Sequence, residues 1–170
     1  MNAKRIAVAA LMLFASLFGY WTLGAQTRPP LPFADLVSGL KATPGCLGVE
    51  TANTSSGKNV IFAWFADKKA LLGWYNSEVH QQMIRMTGVN DPGHVPLAGI
   101  AENSGPILAI ASLTPANAPA LKGLPLPVSQ IAIELYQPLP GGVFVGGRFA
   151  PDGVKVQGLR DFTSGPPASR

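Results

Sequence analysis

The sequence predicts an α+β domain in which an antiparallel β-sheet carries its helices on one face. Three observations point there. Residues 58–66 alternate as a strand with apolar side chains on both sides, Val60, Phe62 and Trp64 against Ile61, Ala63 and Phe65, so the strand is covered twice. Residues 68–86 then repeat their apolar positions at helical spacing. Beyond residue 106, short strand-like runs are punctuated by Pro/Gly turns of hairpin type. At 170 residues there is room for one domain. With 47% hydrophobic and 13% charged residues, the chain is not a charged disordered polymer. Its 19 Gly and 16 Pro follow no Gly-X-Y period, so they mark turns and not collagen.

The first element stands apart. Lys4 and Arg5 precede residues 6–25, which carry no charge: a signal peptide or a signal anchor, excluded from the fold. A span of this length crosses a bilayer at about 1.5 Å per residue, and Tyr20 and Trp21 suit an interfacial belt. Leu23-Gly24-Ala25 offers a small-residue cleavage site instead. Both readings put the body outside the cytoplasm, either periplasmic or secreted, or held at the membrane by one N-terminal helix. Lys4 and Arg5 also supply half of the formal net charge of +4, and no Lys/Arg cluster follows. Nucleic acid, which demands a basic patch, is therefore not an expected partner.

Residues 26–32 form a Pro-rich linker, and the domain proper runs over 33–162. Phe33, Leu36, Val37 and Leu40 recur as one face of a short helix that Pro44-Gly45 ends. Residues 46–51 read as a strand and 53–57 as a polar turn before the covered strand. Asp67 caps a helix over 68–86 whose core arc holds Leu71, Leu72, Tyr75, Val79, Met83 and Met86, with Trp74 on one flank and His80 on the other. Gly88 closes it, and 89–106 is a long loop. Residues 107–113 return to strand, and a Pro/Ala segment spans 115–127. Strands are predicted over 128–136, 143–149 and 154–159, with turns at Pro140-Gly141-Gly142 and Asp152-Gly153. Residues 163–170 read as a disordered tail.

Two blocks carry a family resemblance: Leu40-Lys41-Ala42-Thr43-Pro44-Gly45-Cys46-Leu47-Gly48-Val49-Glu50, and residues 60–74 (VIFAWFADKKALLGW) followed by Ser77 and His80. Across residues 33–86 they resemble the antibiotic biosynthesis monooxygenase family. The resemblance implies a dimeric α/β-barrel of ferredoxin-like type, here with extra C-terminal strands, and a homodimer. It also implies oxidation of a small aromatic molecule without a cofactor, the substrate itself activating oxygen. Haem-degrading members place a His about ten residues after a helical Trp; Trp74 has the place of the Trp, and Ile84 stands where the His would be.

No strong catalytic signature accompanies this. Gly-x-Ser-x-Gly, His-Glu-x-x-His and paired zinc cysteines are absent from the sequence, and Ser56-Gly57-Lys58 has Ala52 where a phosphate loop needs its first glycine. His80, His94, Asp91 and Glu102 are scattered, so no metal site is assigned, and no cofactor is implied. Cys46, the only cysteine, cannot close an intrachain disulfide. It is a small buried residue, or else an intermolecular or reactive thiol. His80 is a proton shuttle or a structural hydrogen-bonding residue. Trp74 lines a substrate pocket or packs. Arg148 anchors an anionic ligand, or pairs with Glu134 across a hairpin. The function expected is an extracytoplasmic monooxygenase-like domain acting on a small apolar or aromatic molecule. The alternative is a non-catalytic small-molecule-binding domain or a membrane-anchored envelope interaction domain. A closed apolar pocket reaching His80 favours the enzyme or the binder; a filled interior favours the interaction domain.

Overall fold

The computed structural model describes residues 33–87, 92–93, 95–116 and 128–165. The N-terminal signal segment, the linker, the Pro/Ala segment over 117–127 and the last five residues of the tail lie outside them. So do Asp91 and His94. Among the described residues no helix is long and apolar enough to cross a membrane.

The elements are α1 (Phe33–Ala42), β1 (Cys46–Asn53), β2 (Asn59–Phe65), α2 (Lys68–Tyr75), α3 (Glu78–Thr87), β3 (Ile107–Pro115) and β4 (Val128–Tyr136), with the two-residue strands β5 (Val143–Phe144) and β6 (Arg160–Asp161). Strands β1 to β4 form one antiparallel sheet in chain order. The α+β class with an antiparallel sheet and helices is as the sequence predicts.

Local chemistry sets each boundary. At the end of α1 the Thr43 hydroxyl donates to the Gly39 carbonyl at 2.9 Å, and Gly45 turns the chain with a φ of +82°. A Cβ on Gly45 would lie 2.5 Å from Ala70 Cβ, so both space and dihedral call for glycine. The β1–β2 turn closes through Thr54 N–H to the Lys58 carbonyl at 2.9 Å, with Gly57 at a φ of +80°. Asp67 caps α2 as predicted, its carboxylate accepting from Ala70 N–H at 2.8 Å.

The two sides of the sheet differ. Ile61, Ala63 and Phe65 of β2, with Ile107 of β3, form the core with Leu40 of α1 and with Ala70, Leu71 and Trp74 of α2. On the other side Phe149 stands edge-on to Phe62 and Trp64, each at a ring separation of 5.0 Å. Pro151 lies over Gly48, and Val154 is buried. Strand β2 is thus covered on both faces.

Two expectations are corrected. The single helix over 68–86 is two helices, because Asn76 and Ser77 interrupt it. Asn76 N–H bonds back to the Leu72 carbonyl, and the Ser77 side chain opens α3 by accepting from His80 N–H at 3.3 Å. Trp74, predicted on a flank, belongs to the core. The strand over 143–149 shrinks to β5, and 154–159 form no strand; β6, which pairs with β5 in parallel, follows at Arg160–Asp161. Gly146 and Gly147 take positive φ of 71° and 147°, which ends the extended run. Part of the predicted tail is fixed: Thr163 N–H donates to the Asp161 carboxylate and Gly146 N–H to the Thr163 hydroxyl, both at 2.8 Å.

Candidate functional site

The break between α2 and α3 brings together Trp74 and His80, two of the three residues singled out for chemistry. Helix α2 ends at Tyr75, and two side chains of α3 reach its carbonyl: His80 Nδ1 lies 2.9 Å from that oxygen and Gln81 Nε2 donates to it at 2.7 Å. Since a carbonyl only accepts, His80 carries its proton on Nδ1, and Nε2 is left as its basic atom. The ring lies beside Trp74 and Tyr75, tilted to them by 53° and 51° at centroid separations of 5.3 and 5.1 Å. Burial holds its pKa below the usual histidine value, with the Tyr75 carbonyl pulling weakly the other way. Burial thus favours the neutral ring.

Trp74 is 8% exposed and packs toward α1, where a Cβ on Gly39 would come within 3.2 Å of its ring. An open groove of about 580 Å³ runs beside it between α1 and α2, past Thr43, Pro44, Gly45, Asp67 and Ser77. A second open cleft of about 570 Å³ lies between β1 and the 148–152 turn. Neither is lined by His80 or Trp74.

Arg148 does line the second cleft, with Lys41, Glu50 and Asp152. It does not meet Glu134. Its Nη2 donates to the Pro151 carbonyl at 2.7 Å and its Nε lies 3.8 Å from the Asp152 carboxylate, so the guanidinium holds its own turn together. The cross-hairpin pair required residues 143–149 to lie in strand beside β4, which they do not. Cys46, in the same cleft, is half-buried, and burial pushes its thiol pKa up, away from the reactive thiolate.

Among the described residues no three His, Cys, Asp or Glu side chains gather as metal ligands. Glu102 is engaged by Lys68, whose Nζ lies 2.6 Å from its carboxylate and ties the 95–106 loop to the start of α2. Sequence reasoning missed this tie, because nothing local links residues 34 positions apart. It also missed that Ile133 and Leu135, the apolar row of β4, stay exposed. Alternation marks such a row; it does not say whether anything covers it.

No protein-family model matches the chain, and no curated protein or solved structure is found similar to it.

Proposed function

We propose that this chain is a non-catalytic interaction domain held outside the cytoplasm by its N-terminal segment. One observation carries the reading: the residues equipped for chemistry are spent on the fold, while apolar side chains stand in solvent. His80 and Gln81 satisfy a helix end, Trp74 is core and Arg148 braces a turn. Meanwhile Ile133, Leu139, Val143, Val145 and Phe149 are exposed. Apolar side chains left in solvent are what an interaction surface offers a partner.

The monooxygenase reading of residues 33–86 keeps one supporting feature, the contact between the Trp74 and His80 rings at the helix break. It needs a substrate to reach His80 Nε2. The dimeric barrel that goes with it would close over the face of the sheet opposite the helices. The open sheet supports that form; Phe149 and Pro151, already seated on that face, weigh against it.

The test compares wild type with His80→Gln for oxygen uptake on quinols and polyphenols and for melting temperature. The interaction reading expects no oxygen uptake from either protein. It also expects a stability loss of about 1–3 kcal/mol from the disturbed Tyr75 carbonyl. Wild-type turnover that disappears in a variant of unchanged stability would establish the oxygenase instead.

A further inference from the structure

We propose that β4 is a homodimerisation strand, its free edge pairing antiparallel with β4 of a second copy about a two-fold axis at Ile133. Two four-stranded sheets then become one of eight strands. The proposal rests on the interaction-domain reading and names its surface and its partner.

The edge is open. Strand β4 pairs with β3 on one side and, among the described residues, with no strand on the other. It is also lightly defended, with Glu134 as its one charged side chain. Edge strands are ordinarily blunted by lysine, proline or a bulge. Residues 128–136 contain no Lys, Arg, Pro or Gly. The β3–β4 register runs without a shift from Gln130 to Tyr136.

Its side chains are placed to match. Ile131, Ile133 and Leu135 alternate onto the helix-bearing face of the sheet, since they pair with Leu113, Ala111 and Ala109. The core cluster on that face draws on β1 to β3, and it leaves Ile133 60% and Leu135 38% exposed.

The strand is complementary to itself in one register. With the axis at Ile133, Ile133 meets its own copy and Ile131 meets the partner's Leu135, so the whole apolar row is paired within itself. On the opposite face Gln130 meets the partner's Tyr136, and Glu134 meets the partner's Ala132. Centring on Glu134 would set two carboxylates against each other, and centring on Ala132 would set Leu135 against the partner's Ser129. Cross-strand pairs of this kind select register, and like charges directly opposite disfavour it. An isologous contact also closes at two copies.

The test uses the full chain in mild detergent, on a Cys46→Ser background, with Ile133→Cys and Ala132→Cys compared under mild oxidation. At the axis two Ile133→Cys thiols face each other within disulfide range, whereas Ala132→Cys thiols stand diagonally apart, beyond about 7 Å between Cα atoms. The expected result is a covalent dimer from the first variant and none from the second. Light scattering on Ile133→Lys, an exposed position, should show a dimer converted to monomer with the circular dichroism of the fold retained and a melting temperature that no longer rises with protein concentration. A monomeric wild type at high micromolar concentration overturns the proposal. So does a dimer indifferent to Ile133→Lys, which would point to face-to-face closure or to contacts outside β4. Oxygen uptake is scored separately: turnover by a β4-linked dimer would defeat the non-catalytic reading and leave the strand assignment standing.

Discussion

Gly48 shows how a single residue on β1 governs what lies across the sheet. A Cβ there would come within 2.3 Å of Pro151 Cγ, and the proline ring cannot swing away as a flexible side chain can. Gly48→Ala should therefore destabilise the protein by about 1–3 kcal/mol through overpacking, read as a lower denaturant midpoint at unchanged slope. A neutral result would mean that the 148–154 segment is loosely held. From the sequence, Gly48 is an ordinary strand glycine, because Pro151 is a hundred positions away. Arg148 was obscured in the same way. Its type suggested an anion anchor, and only the turn around it shows that its partner is a carbonyl three residues on.

At the scale of the element, local chemistry was legible and long-range coverage was not. Strand β4 falls on the span its alternation predicts, and Asp67 caps the helix that follows β2. The break after Tyr75 went unread because the apolar period continues through it, while Asn76 and Ser77 offer the backbone an alternative to helix. Both caps should matter. Asp67→Ala and Ser77→Ala should each cost about 1 kcal/mol, with Ser77→Asp retaining most of the stability. Helical circular dichroism and chemical denaturation measure this. If Ser77→Ala instead raises helicity and stability, the two helices are one helix under strain. The failed strands over 143–149 and 154–159 have a physical cause too. Glycines at positive φ bend the chain there, and what remains is held by β5–β6 and by Thr163.

For the whole molecule, the α+β class followed from strand coverage, helical period and turn chemistry, all local properties. Which residues form a site did not follow, because a histidine on a helix flank looks the same whether it faces a cavity or a carbonyl. Here it faces the Tyr75 carbonyl, in contact with two aromatic rings. Burial favours its neutral form in the folded state. A histidine whose folded pKa is depressed gives its full stability above the unfolded value, about 6.5. That stability is lost as pH falls from there through the folded pKa. The central claim is that His80 belongs to the fold, and its ring nitrogens report on this directly. Nitrogen NMR of the intact protein, titrated with and without an added quinol, should show a proton on Nδ1 at neutral pH and a pKa below 6.5 that the quinol leaves unmoved. A proton on Nε2, or a titration that shifts when the quinol is added, would contradict the account and return His80 to a binding site.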